Sequence, residues 1–284
     1  MNSLQTFIAH TPQFPLSQYI NCLWYIKGKL PYNREKILPT GTIELIFNLG
    51  SPYKLIDKVD PGKFALNKNS WICGLQTEYI ISESHGNTNA LGVSFKPGGA
   101  YPFFKFPLSE LNNRVVDMDL IWGSLAEELR EKLAETKLLN DKFKLLENAL
   151  LEKLKADLYG LEIIQYAVDN IIHPNGFRTI KDLSTEIGYS QKHLINQFHK
   201  TVGVSPKILA RVFKFLKVLN AINPARQINW AEIAYECDYY DQAHFNKDFL
   251  AFSGLNPTTY LKLRKENLPE NLKAGPHENF VPIC

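Results

Sequence analysis

The sequence predicts an α+β fold: a β-rich, barrel-like N-terminal domain with trailing helices, followed by an all-α domain of two helix-turn-helix units joined by a linker helix. Three observations predict it. Over the first hundred residues, short runs rich in Ile, Val, Tyr, Phe and Trp alternate with Gly, Pro and Asn clusters. From about Asp119, leucines recur every three or four residues. Near the C-terminus, His193-Leu194, Phe198, Gly203, Ser205-Pro206 and Leu209 return fifty-one residues later as His244-Phe245, Phe249, Gly254, Asn256-Pro257 and Tyr260.

The 284 residues, 45% of them hydrophobic, are enough for two cores. No run approaches the roughly 20 apolar residues of a membrane span, and the N-terminus lacks the basic head and apolar stretch of a signal peptide. The expected location is therefore the cytoplasm, with no membrane partner. Cys22, Cys73, Cys237 and Cys284 lie far apart, so neither a zinc motif nor a disulfide framework is suggested, and no cofactor or metal is expected. The net charge of +3 is unevenly placed. Residues 1–159 carry 18 basic and 17 acidic side chains, residues 160–267 carry 13 and 10, and residues 268–284 carry 1 and 2. The surplus lies with the duplication and agrees with a nucleic-acid partner, though it is too small to identify one.

Taken in order, the strand-like segments are Asn21–Lys27, Thr42–Asn48, Tyr53–Ile56, Ser70–Leu75 and Ala90–Phe95, which gives a β-rich domain over 1–118. Residues 119–159 follow as Leu-rich helices. Ile121, Leu125, Leu129 and Leu133 form one apolar stripe, and Leu139, Phe143, Leu146, Leu150, Leu154 and Leu158 form a longer one. Such stripes either seal helices onto the barrel or form a two-chain seam, and the second use would make a homodimer. Residues 268–284, with Pro269, Gly275, Pro276 and Pro282, are expected to be a disordered tail.

Residues 160–267 hold the duplicated domain. In its first unit Ile180, Leu183 and Ile187 give one helix face, Gly188 allows a sharp turn, and Ser190 caps the next helix. Leu194 and Phe198 face inward, leaving Gln191, Lys192 and Asn196 near the exposed N-terminal half, where a recognition helix meets base edges. Asn suits adenine and Lys suits guanine acceptors. In the second unit Asn229 caps a helix lined by Trp230, Ile233, Ala234 and Cys237, and Asp241 caps the next. There Phe245, Phe249 and Phe252 face inward while Gln242, Ala243, Asn246 and Lys247 remain for DNA. His193 and His244, repeated in register, are expected to be structural. Between the units, Pro206 opens a helix running to Asn223-Pro224, and Lys200, Lys207, Arg211 and Lys214 are candidate phosphate contacts.

The run from about Thr179 to Arg264 resembles the DNA-binding domain of the AraC/XylS family of bacterial transcription regulators, through Ile233-Ala234, Tyr239, Asp241, His244-Phe245, Phe249, Gly254, Pro257 and Tyr260. The resemblance implies two recognition helices reading adjacent major-groove segments, with an attached domain that senses a small molecule or dimerises, and it leaves RNA polymerase open as a partner. The chain departs from the family at Asp238, where Gly is usual, and at Lys192, Asn196 and Lys247, where arginines are common. Leu38-Pro39, Gly41, Glu44 to Leu49 and Val93, Phe95, Pro97 to Ala100 resemble the N-terminal domain of one AraC-type subgroup. An effector pocket in it would draw on Trp24, Tyr25, Glu44, Phe47, Trp71 and Phe95. Two other readings stay in play. One is a DNA-binding dimer without a ligand. The other is an enzyme fusion of the cysteine methyl-acceptor type, for which Cys22 and Cys73 sit in packed-strand contexts without an adjacent His or Asp.

Overall fold

The computed structural model describes residues 6–30, 32–104, 106–154, 160–173, 179–223, 227–267 and 279–283. Its N-terminal part is two facing antiparallel sheets. Strands β1 (Thr6–His10), β2 (Ile20–Gly28), β4 (Glu44–Asn48), β7 (Ser70–Cys73), β9 (Thr88–Phe95) and β10 (Val115–Asp117) form the larger sheet in the order β1-β2-β9-β4-β7-β10. Strands β3 (Arg34–Ile37), β5 (Tyr53–Ile56), β6 (Phe64–Asn67), β8 (Ile80–Ser84) and β11 (Phe280–Pro282) form the smaller one, ordered β11-β3-β8-β5-β6. Each of the five segments predicted from residue type contains a strand, with Thr42, Ile43, Gly74 and Leu75 falling outside it. The structure adds β3 and β8, whose Arg34-Glu35-Lys36 and Ser82-Glu83-Ser84 stretches carry too much charge and hydroxyl to read as strands alone.

The tail corrects one expectation. Residues 268–278 and 284 lie outside the described residues, but Phe280–Pro282 pair with Glu35–Ile37 as β11, and Val281 is fully buried. A C-terminal segment expected to be disordered therefore completes the edge of the smaller sheet.

Alternation along β2, β4, β7 and β9 gives the larger sheet two distinct faces. On one face Leu23, Leu45, Phe47, Ile72, Leu91, Val93 and Phe95 are fully buried. Phe95 there meets Phe103 and Phe104, and Phe104 stacks on Trp122. That face is covered by α1 (Asp119–Trp122), α2 (Ser124–Glu135), α3 (Leu139–Lys153) and the 3-10 turns Tyr101–Phe103 and Leu108–Leu111. The predicted stripes are therefore spent within the chain: Leu129, Leu133, Phe143, Leu146 and Leu150 are buried, whereas Leu125 is exposed because Gly123, at φ +63°, breaks the first helix. Leu158 lies outside the described residues.

The C-terminal part comprises α4 (Leu161–Ile172), α5 (Ile180–Glu186), α6 (Gln191–Thr201), α7 (Pro206–Ala221), α8 (Trp230–Glu236), α9 (Gln242–Ser253) and α10 (Pro257–Asn267). At its centre α7 buries Leu209, Val212, Phe215, Val218 and Leu219. Phe215 meets Phe249 and Phe252 of α9, with ring centroids 5.3 and 5.1 Å apart. Arg211 on α7 reaches the buried Asp248 on α9, at 2.7 Å between Nη2 and Oδ1 and 3.4 Å between Nε and Oδ2. Asp248 also lies 3.8 Å from His244 Nε2.

Both units dock on the N-terminal domain by the ends of their second helices. A Cβ at Gly203 would stand 3.2 Å from the Leu108 carbonyl, and one at Gly254 would stand 2.2 Å from the Tyr79 ring. Lys36 Nζ donates to the carbonyls of Ser253 and Gly254 at 3.3 and 3.4 Å, a cation placed on the negative end of α9. Its neighbour on β3, Glu35, points the other way, is 6% exposed and leaves Oε2 without a partner. Burial raises its carboxyl to about 7, despite a hydrogen bond from Tyr32.

Two outcomes follow for stability. Arg211→Ala strands a buried carboxylate and should cost about 3 kcal/mol in urea unfolding, whereas the double variant R211M/D248N should recover a good part of it. For Glu35, the folded state holds its proton more tightly than the unfolded chain, so its contribution falls as pH rises from about 4.5 to about 7 and is level above that. Urea titrations across that window should therefore find Glu35→Gln gaining on the wild type by up to about 3 kcal/mol at the upper end; a pH-independent difference would refute the burial argument.

Candidate nucleic-acid interface

Each helix-turn-helix unit is assembled by local chemistry that repeats. In the first, Thr179 and Asp182 form a reciprocal capping box at the start of α5. The turn passes through Gly188 at φ +73°, and Ser190 Oγ accepts from the His193 N–H at 3.2 Å to start α6. In the second, Asn229 Oδ1 accepts from the N–H groups of Ala231 and Glu232, the turn passes through Asp238 at φ +62°, and Asp241 Oδ1 accepts from His244 N–H at 2.7 Å. Asp238 thus adopts the left-handed conformation usually left to Gly. Its cost is offset by neighbours: Lys214 Nζ donates to its carbonyl at 2.8 Å, and Lys217 pairs with its carboxylate at 2.9 Å.

The repeated histidines share one contact. His193 packs edge-on against Tyr189 with centroids 4.4 Å apart, and His244 packs edge-on against Tyr239 at 5.4 Å. Each Tyr immediately follows the turn residue, fifty positions apart, while the caps of the second helices, Ser190 and Asp241, and the histidines are fifty-one apart. The second unit therefore contains one inserted residue, Tyr240, which is 94% exposed at the entrance to α9. The sequence carried this signal in the mismatch between the two offsets. Tyr240 joins the candidate interface, and Tyr235, at the exposed end of α8, lies in the same unit.

All seven predicted base-contact residues are exposed: Gln191, Lys192 and Asn196 on α6, and Gln242, Ala243, Asn246 and Lys247 on α9. Leu194, Phe198, Phe245 and Phe249 are buried behind them. The caps put the N-terminal halves of α6 and α9 in solvent, while their C-terminal ends face the N-terminal domain. The linker α7, 16 residues long, spans about 24 Å.

The four predicted phosphate contacts separate. Lys207 is exposed, and Lys200 is exposed with its ammonium 5.5 Å above the Tyr101 ring. Arg211 and Lys214 are corrected: the first is committed to Asp248 inside the domain, and the second to the Asp238 carbonyl and the face of Tyr239. Both stabilise the second unit, because a buried carboxylate and a left-handed turn demanded partners.

The six residues predicted for an effector pocket fall on opposite sides of the larger sheet. Phe47 and Phe95 are fully buried on the helix-covered face, and Tyr25 packs against the same core. Trp24, Glu44 and Trp71 lie on the other face, toward the smaller sheet, where Trp71 meets Tyr53 at 5.8 Å. Trp24 lies over Gly92, where a Cβ would stand 2.2 Å from the indole. Glu44 accepts from Trp24 Nε1 and from Thr42 Oγ1, each at 2.9 Å. Burial pushes its carboxyl above the ordinary range, against hydrogen bonds from Trp24, Ser94 and Thr42. Cys22 and Cys73 share this face, and both thiols are pushed up by burial first and by the Glu44 charge second, Cys73 to about 12. That setting holds them protonated, the opposite of what a thiolate methyl acceptor requires.

Among the described residues there is no group of three or more His, Cys, Asp or Glu side chains able to hold a metal, and no helix long and apolar enough to cross a membrane. Comparison with curated proteins finds no match. Residues 8–117 match a family described as a domain of unknown function (DUF6597), and residues 183–263 match a helix-turn-helix domain family. Solved structures of ToxT from Vibrio cholerae are similar at low identity. One, at 1.65 Å, is 11% identical with a TM-score of 0.47, covering 92% of this chain and 98% of that one. Another, with an unsaturated fatty acid bound, is 11% identical with a TM-score of 0.45, covering 92% of this chain and 96% of that one. With two capped units and a family match over residues 183–263, the C-terminal part of this chain is similar to a helix-turn-helix domain.

Proposed function

We propose that the chain is a sequence-specific transcription regulator that reads two successive major-groove segments with α6 and α9, under the control of a small molecule bound by its N-terminal domain. The observation that carries this reading is the common orientation of the two units. Each presents the N-terminal half of its second helix to solvent, and each is held at the opposite end, through Gly203 or Gly254, by the N-terminal domain. A helix in the major groove contacts base edges with its N-terminal residues, so Gln191, Lys192 and Asn196 in one unit and Gln242, Ala243, Asn246 and Lys247 in the other would make those contacts. Lys207, exposed at the start of α7, would contact phosphate.

Control would work through the docking contacts. A ligand that binds one arrangement of the sheets better than another shifts the population of that arrangement, and with it the positions of Gly203 and Gly254. The ligand-independent dimer is less well supported, because the leucine stripes that would form its seam are largely buried against the chain's own sheet.

The test is fluorescence anisotropy with the DNA upstream of the chain's own gene and a scrambled duplex, at low and near-physiological salt. Tighter binding to the upstream DNA that persists as salt rises is expected; equal binding that vanishes with salt would sink sequence-specific readout. Asn196→Ala should cost about 1–3 kcal/mol on the upstream DNA and much less on the scrambled duplex. Lys207→Ala should weaken both duplexes alike and lower the salt slope by about one.

A further inference from the structure

The two DNA-reading units are unlike in charge. Residues 180–201 of the first carry three lysines and two acids, whereas residues 230–253 of the second carry one lysine and five acids. Two of those acids are answered from α7, Asp248 by Arg211 and Asp238 by Lys217. Glu232, Glu236 and Asp241 remain exposed, against Lys247 alone among the same residues. Such a surface gains little from ion pairing with phosphate, so the second unit needs uncharged donors where the first has Lys181, Lys192 and Lys200.

The second unit also carries one residue more, Tyr240, between the aromatic that braces its histidine and the cap of its reading helix. Both neighbours are fixed. Tyr239 is buried, its ring against His244 and Phe245 and its N–H donating to the Ala234 carbonyl at 2.9 Å. Asp241 accepts from the His244 N–H at 2.7 Å. With the backbone held on either side, Tyr240 cannot follow Tyr239 inward, and it stands 94% exposed with no hydrogen bond or ring contact among the described residues. A side chain so placed does nothing for the fold. It lies one residue ahead of the cap of α9, next to the N-terminal half that would meet base edges, where a groove is bordered by its wall of sugar and phosphate.

We propose that Tyr240 positions the second unit on DNA by donating its hydroxyl to a backbone phosphate oxygen beside the segment read by α9, with its ring along the adjoining deoxyribose. This rests on the reading of α9 as a recognition helix, and it gives that helix a contact which the first unit, passing directly from Tyr189 to Ser190, lacks. Tyrosine is among the side chains that bond phosphate without carrying charge. Its ring is apolar and its tip polar, so the ring loses water against the sugar while the hydroxyl keeps a partner. A neutral contact releases no counterion, and the affinity it adds is therefore insensitive to salt. The two units are held by different means. Lysines hold the first with a grip that fades as salt rises, and a phenol hydroxyl holds the second with one that does not.

The experiment measures anisotropy of the full chain and of its Tyr240→Phe, Tyr240→Ala and Tyr240→Lys variants on the upstream and scrambled duplexes over a range of salt. Tyr240→Phe, which lacks only the hydroxyl, is expected to bind about threefold more weakly than the wild type. Tyr240→Ala, which also lacks the ring, is expected to bind about tenfold more weakly. Neither should change the salt slope. Tyr240→Lys should bind more tightly than Tyr240→Ala at low salt and steepen the slope by about one, because an ammonium then meets the same phosphate. All three should unfold at the wild-type temperature, since a residue this exposed takes no part in the core. Wild-type affinity in Tyr240→Phe, or Tyr240→Lys no tighter than Tyr240→Ala at low salt, would overturn the proposal. Should Tyr240→Ala unfold early, the Phe and Lys variants decide it. The two readings fail separately. Specific binding left unchanged by Tyr240→Phe removes the Tyr240 contact alone. Equal binding of the wild type to both duplexes removes sequence readout alone, and the phosphate contact, being independent of sequence, is then decided by the variants on the scrambled duplex.

Discussion

The rest of the molecule depends on the two-residue alternation of β2, β4, β7 and β9, which gives the larger sheet one sealed, helix-covered face and one that looks toward the smaller sheet. The sealed face, built on Leu23, Leu45, Phe47, Ile72, Leu91, Val93 and Phe95, anchors α2, α3 and the turns around Tyr101 and Leu108. Those turns in turn receive the first DNA-reading unit at Gly203, and Lys200 lies over Tyr101. A one-residue slip in β4 would exchange Phe47 for Ile46 and Leu45 for Glu44, placing a carboxylate in the apolar core and removing the platform on which the C-terminal domain rests.

The C-terminal domain meets one packing problem twice. Each unit needs a capped helix, a left-handed turn residue, an aromatic that braces a histidine, and an apolar pair facing inward. The first unit meets the turn requirement with Gly188 at no steric cost. The second uses Asp238 and recruits Lys214 and Lys217 to hold it, which commits two cations to partners within the domain. Arg211 is committed in the same way to Asp248. The modest basic surplus of this domain is therefore partly structural.

The N-terminal and C-terminal parts share one continuous hydrophobic core, and their contacts fall at equivalent positions of the two units. Gly203 and Gly254 both stand where a side chain would collide with the N-terminal domain. This places the relative position of the two recognition helices under the joint control of α7, which connects them, and of the sheets on which both rest. A change between the sheets has a short path to the DNA-reading surface, because Lys36 and Glu35 are adjacent residues on opposite faces of one strand.

The sequence by itself determined the elements whose causes are local. Caps at Ser190, Asn229 and Asp241, the turns at Gly188 and Asp238, and the leucine stripes follow from side-chain reach and helical period, and the duplication made the reading of one unit a check on the other. Tertiary structure decided what depends on a distant partner. Arg211 and Lys214 look like free surface cations until Asp248 and the Asp238 carbonyl arrive from another helix and turn. Phe47 and Phe95 look as suited to a pocket as Trp24 and Trp71 until pairing sets which face each one takes. The segment at Phe280–Pro282 becomes a strand only because β3 offers it an open edge, since a lone strand has no partner for its backbone hydrogen bonds.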